Sequence, residues 1–96
     1  MTPLAPREID AALDRLPGWS HEEGALRRTV RTGGFAPAFA LATRVALLAE
    51  RMNHHPEMTV TWGHLTIALT THSAGGITSL DLRMAEAISQ WIPSSG

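Results

Sequence analysis

The chain predicts an α+β fold in a single domain spanning 1–96: a four-stranded antiparallel sheet with three helices packed on one face, in the order α-β-β-α-β-β-α. Three observations predict it. Three separated segments carry apolar residues at helical spacing. Between them lie two pairs of short alternating segments, each pair joined by too few residues for a crossover, so each should close as an antiparallel hairpin. One sheet with every helix on the same face buries all of these apolar stripes together.

The first helix is read over Pro6 to Leu16, with Ile9, Leu13 and Leu16 on one face, Glu8 and Asp10 favouring its N-terminal end, and Pro17-Gly18 as its stop. Trp19-Ser20 opens a short strand, and His21-Glu22-Glu23-Gly24 reads as a turn. Ala25 to Thr32 is the second strand, with Leu26 and Val30 on one side and Arg27, Thr29 and Arg31 on the other. The alternation is imperfect, because Arg28 shares parity with Leu26. Arg27, Arg28 and Arg31 read as a solvated strand face. After the Gly33-Gly34 break, Phe35 to Met52 carries the strongest helical pattern. Leu41, Val45, Leu48 and Met52 form one stripe, and Phe35, Phe39, Ala42, Ala46 and Ala49 a second beside it, so the apolar face is wide. The helix should end near Asn53, because His55 precedes Pro56 and pre-proline residues avoid helical geometry.

Met58 to Trp62 and Leu65 to Thr71 alternate as the next two strands, with Gly63-His64 expected at the hairpin turn. Ser73 to Gly76 is a loop. Thr78 or Ser79 can cap the last helix, Asp81 lies in its first turn, and Leu80, Met84, Ala87, Ile88 and Trp91 form its stripe before Pro93. The free sheet face should carry Thr66, Thr70 and His72.

Composition narrows the function classes. The chain has no cysteine, which excludes disulfides, thiolate metal sites and a cysteine nucleophile. A formal net charge of −1 gives no global pull toward nucleic acid or an anionic membrane, so neither is expected as a partner. No apolar run approaches the ~20 residues that span a bilayer, and the first residues lack a signal-peptide pattern, so a cytoplasmic protein is expected. A domain this small is often helped by oligomerisation, and Trp91 and the wide face of the long helix suggest burial beyond one subunit.

The chemistry concentrates at His54-His55-Pro56, with His72 after the following strand pair and Glu50 one turn before. Histidine titrates near neutrality, so one ring can give a proton while another takes one. Three rival readings stand beside this one. The imidazoles can be plain surface residues; they can bind zinc, although consecutive histidines rarely share an ion and no H-E-x-x-H pattern is present; or the chain can be a non-catalytic dimerisation or assembly module. Asp81 reads equally as a helix-start residue, Glu50 as a solvated one, and Trp19 and Trp62 as packed residues or as walls for a planar ligand.

Glu50-x-x-x-His54-His55-Pro56, then Trp62, Thr71-His72 and Asp81, resemble the signature of the pterin-4a-carbinolamine dehydratases. That pattern is a charged residue, His-His-Pro, an aromatic, a further His and a later Asp at set gaps. Here five residues separate Pro56 from Trp62, nine separate Trp62 from His72 and eight separate His72 from Asp81. Gly18-Trp19, Thr43 to Ala46, Ala49-Glu50 and Leu65 to Ile67 extend the resemblance from Leu16 to Trp91. Ser73, where animal members often carry cysteine, and Trp62, where many carry tyrosine, depart from it.

The resemblance implies the same fold and a lyase that dehydrates 4a-hydroxytetrahydropterin to quinonoid dihydropterin, recycling tetrahydropterin. It implies no metal and no cofactor, a pterin as small-molecule partner, and a homodimer or homotetramer. Carried over by position, the catalytic residues are His54, His55 and His72; substrate contacts fall on Glu50, Pro56, Thr71, Ser73 and Ala74; Asp81 and Trp19 are supporting. The expectation is that His54 and His72 act as general acids on the leaving hydroxyl, that His55 orients the ring or serves as base, and that all three imidazoles converge in one pocket.

Overall fold

The computed structural model describes residues 1–93. Its elements are α1 (Pro6–Leu13), β1 (Ser20–Glu22), β2 (Ala25–Arg31), α2 (Phe35–Met52), β3 (Glu57–Thr61), β4 (His64–Leu69) and α3 (Ser79–Ser89), with a short 3₁₀ turn at His72–Ala74. The four strands form one antiparallel sheet in the order β1-β2-β4-β3. This is the expected class and element order. None of the described helices is long and apolar enough to cross a membrane.

Strand parity separates the two sheet faces. Leu26, Val30, Leu65, Ile67 and Leu69 turn inward and meet Ile9, Val45, Leu48, Met84, Ala85 and Ile88 from the helices in one core. On the opposite face the register aligns Arg27, Ala68 and Glu57 in one row, and Thr29, Thr66 and Thr59 in the next. That face carries the polar rows because no helix covers it.

Local signals explain the turns. Glu23 and Gly24 both take positive φ, 53° and 77°, as a two-residue hairpin between right-twisted strands requires. The β3–β4 turn lies at Trp62-Gly63, with Thr61 paired to His64, one residue earlier than expected. Gly63 has φ 80° and so belongs inside the turn, which leaves His64 free to open the strand. The first helix ends at Leu13 rather than Leu16, and Leu16 still reaches the core from the following turns. The last helix ends at Ser89, so Trp91 lies beyond it.

Two sequence expectations are corrected. Arg28 is not solvated: it is 3% exposed, on the inward face that its parity with Leu26 dictates. Its guanidinium donates to Ser89 Oγ and to the Pro93 carbonyl, each at 3.4 Å, and burial lowers its pKa. The second stripe of the long helix is only partly buried. The sheet meets Ala38, Ala42, Val45, Leu48 and Ala49, whereas Phe35, Phe39 and Ala46 stay exposed. A helix on a single sheet layer buries one stripe, and the small alanines let the backbone approach closely.

Candidate active site

Backbone geometry at the end of α2 sends the paired histidines in opposite directions. Asn53 caps the helix in the left-handed region, with φ 50°. Its N–H donates to the last carbonyls, and the His54 N–H donates to the Ala49 carbonyl at 3.0 Å. The chain leaves extended ahead of Pro56, and successive extended residues face opposite sides. His54 therefore turns into the protein, 8% exposed, and His55 turns out, 59% exposed.

His54 meets a buried polar cluster. Its Nε2 lies 2.5 Å from Oδ1 of Asp81, which is fully buried. The other carboxylate oxygen, Oδ2, accepts from the Thr71 hydroxyl at 2.8 Å and from the Thr78 N–H at 2.9 Å. Thr71 has one hydroxyl proton and gives it to Asp81, so its 2.8 Å contact with Thr78 is donated by the Thr78 hydroxyl. Asp81 thus closes a capping box with Thr78 at the start of α3 and holds an imidazole from the end of α2. The helix-start reading of this residue is realised.

The same cluster anchors the third histidine. Thr71 pairs with Gly76 through hydrogen bonds of 3.1 and 3.3 Å, and the 3₁₀ turn His72–Ala74 is closed at that neck. Asp81 consequently grips the residue before His55 and the residue before His72.

His55 and His72 line one cleft of about 190 Å³ on the polar sheet face. Ala68 forms its floor, Arg27 and Glu57 flank that alanine across the strands, and Glu23 and Thr70 contribute to its walls. The Thr70 hydroxyl donates to the Gly24 carbonyl at 3.1 Å, which ties the first hairpin to the cleft rim. Glu50 reaches His55, with Oε2 2.5 Å from Nε2, in an exposed pair.

The structure therefore brings His55, His72 and, through His55, Glu50 together. His54 and Thr71 stand behind the cleft in the Asp81 cluster. Pro56, Ser73 and Ala74 flank the two cleft histidines in sequence without lining the cleft. Trp19 lies in the core, its indole N–H donating to Ser89 Oγ at 2.8 Å. Among the described residues no group of three His, Asp or Glu side chains comes together as a metal site.

Sequence reasoning missed Arg27, Glu23 and Glu57. Arg27 was legible as an outward position and Glu23 as a turn position, Glu57 lay before the expected strand start at Met58, and only the strand register places them beside the histidines. Such a cleft, with two imidazoles, two carboxylates and a guanidinium around an alanine floor, can give and take protons around a flat polar ring.

The chain matches the family model described as pterin 4 alpha carbinolamine dehydratase over residues 2–91. It is 46% identical over 90 residues to a protein of Mycolicibacterium smegmatis assigned by name as a pterin-4-alpha-carbinolamine dehydratase, covering 94% of this chain and 96% of that one. A protein of Rhizorhabdus wittichii assigned the same name is 48% identical over 88 residues, covering 90% and 91%. The crystal structure of a transcriptional coactivator/pterin dehydratase from Brucella melitensis superposes with a TM-score of 0.89 at 32% identity, covering 96% of this chain and all of that one. A match across nearly the whole length, in sequence and in fold, settles the question of kinship: the chain belongs to the pterin 4 alpha carbinolamine dehydratase family.

Proposed function

We propose that the chain dehydrates a 4a-hydroxytetrahydropterin to the quinonoid dihydropterin, in tetrahydropterin recycling. The observation that carries this reading is His55 and His72 lining one cleft from the two ends of the β3–β4 hairpin. In the reaction the C4a hydroxyl takes a proton and leaves as water. The N5 lone pair closes the C4a–N5 double bond, and the N5 proton passes to a base. One protonated and one neutral imidazole suffice, and the proton balance closes without oxidant or reductant.

The geometry favours a division of labour that differs from the sequence expectation. His55 and His72 have rings available to a ligand and serve as the proton-transfer pair. His54 commits Nε2 to Asp81 and acts as a positioning residue. Glu50 holds the His55 ring by its Nε2 and releases it toward substrate at little cost, because exposed pairs contribute about 1 kcal/mol or less. The exposed apolar side of α2 supports the homo-oligomer implied by the resemblance.

The test mixes the protein with freshly generated 4a-carbinolamine and follows its decay by ultraviolet absorbance. The protein is expected to accelerate decay, with or without a chelator. His55→Ala and His72→Ala should each reduce turnover at least about tenfold, the low end of a general acid or base contribution. Unchanged circular dichroism would show the fold intact. Wild-type rates in both variants would remove the pair from the mechanism. No acceleration by the native chain would leave the assembly-module reading in its place.

A further inference from the structure

The turn that carries His72 is held from outside itself. None of the residues His72–Ala74 is buried, so the core does not fix this imidazole directly. Its place depends on the two ends of the turn, Thr71 and Gly76, which are bonded to each other at 3.1 and 3.3 Å. Thr71 belongs to the Asp81 cluster. Gly76 has no side chain with which to anchor its end, and a second support acts there.

That support is the segment ahead of α1. The Leu4 N–H donates to the Ile77 carbonyl at 2.8 Å, and the Leu4 side chain packs on the core. One residue earlier, Pro3 lies against Gly76: a Cβ at Gly76 would stand 3.3 Å from Pro3 Cβ. Gly76 does not take positive φ, so close approach rather than backbone conformation calls for glycine here. The fixed φ of a proline leaves this contact little freedom to drift. The turn is thus gripped at both ends, by a buried carboxylate on the Thr71 side and by Pro3-Leu4 on the Gly76-Ile77 side.

We infer that Pro3 and Leu4 are positioning residues for the reaction: they strap the far end of the turn and so set where the His72 imidazole stands in the cleft. The inference rests on the proposed dehydration, with His72 in the proton-transfer pair. A displacement of about 1 Å at a reacting group can cost about 10²-fold in rate, so a loosened strap registers in turnover.

The experiment is a double-mutant cycle on turnover of the 4a-carbinolamine. Leu4→Pro removes the N–H donor and should lower kcat at least about fivefold. In a His72→Ala chain the same substitution should cost less than about twofold, because no imidazole is left for the strap to place. Leu4→Ala keeps the N–H and should recover most of the loss. Gly76→Ala, which drives a methyl group against Pro3, should lower kcat about threefold, and Pro3→Gly in the same chain should restore it. This second pair decides the matter if Leu4→Pro does not fold. Equal losses with and without His72 would mean a general loosening of the fold, and would overturn the inference while leaving the dehydration standing. Native kcat in a folded Leu4→Pro protein, or a Gly76→Ala protein that is fully active or not restored, would do the same. No acceleration of decay by the native chain would overturn both.

Discussion

At the scale of single residues, the tightest constraint outside the cleft is the pair Gly18 and Arg28. A cation that is 3% exposed needs room, and Gly18 supplies it. A Cβ at that position would lie 2.9 Å from Arg28 Nε, and Gly18 holds φ 88°, a region L-residues rarely adopt. The guanidinium cannot move away freely, since Ser89 and the Pro93 carbonyl hold it and the core surrounds it. Gly18→Ala should therefore cost about 1–3 kcal/mol, read as a lower urea midpoint at unchanged slope. An unaltered midpoint would mean that the arginine yields without penalty. The same neighbourhood fixes Trp19, whose indole shares Ser89 Oγ with Arg28.

At the scale of elements, one carboxylate joins three of them. Asp81 starts α3 by capping Thr78, holds His54 at the end of α2, and holds Thr71 at the end of the β3–β4 hairpin. His55 and His72 each follow a residue in this clasp, so their separation across the cleft depends on it. Asp81→Ala would leave an imidazole nitrogen and a backbone N–H buried without partners, and the Thr71 hydroxyl with Thr78 alone. The expected loss is about 3 kcal/mol of stability, together with most of the activity. Asp81→Asn retains the shape and an acceptor oxygen, and should lose less stability than activity, because its amide cannot accept through both side-chain atoms. Chemical denaturation beside turnover separates the two effects. Native turnover in a folded Asp81→Ala protein would show that the histidine segments are placed without the clasp.

At the scale of the whole molecule, the fold leaves an apolar side of α2 uncovered. Phe35, Phe39 and Leu47 are each more than half exposed along α2, and the two phenyl rings lie 6.3 Å apart. A chain of 96 residues has little surplus core to offset such exposure. Self-association through this helix is the expected remedy. Phe39→Glu should shift the protein to a smaller species in sedimentation velocity, with the monomer fold retained. An unchanged sedimentation coefficient would place any subunit contact elsewhere.

The sequence by itself determined the element order, the inward rows of the sheet, the stop at Asn53 and the residue types that carry the chemistry. These follow from near-neighbour physics: periods of two and of 3.6, the restriction before Pro56, and the positive φ that Gly24 and Gly63 accept. The position of the turn at Trp62-Gly63 and the end of α1 at Leu13 slipped because competing breakers stood one to three residues apart. Only the tertiary structure decided that His54 faces Asp81 while His55 faces the cleft, that Arg27 stands beside the histidines, that Arg28 is buried, and that Phe35 and Phe39 are not. Each of those outcomes depends on strand register and on which helix stripe the sheet accepts. Both are set by packing between segments far apart along the chain, and no local pattern encodes that contact.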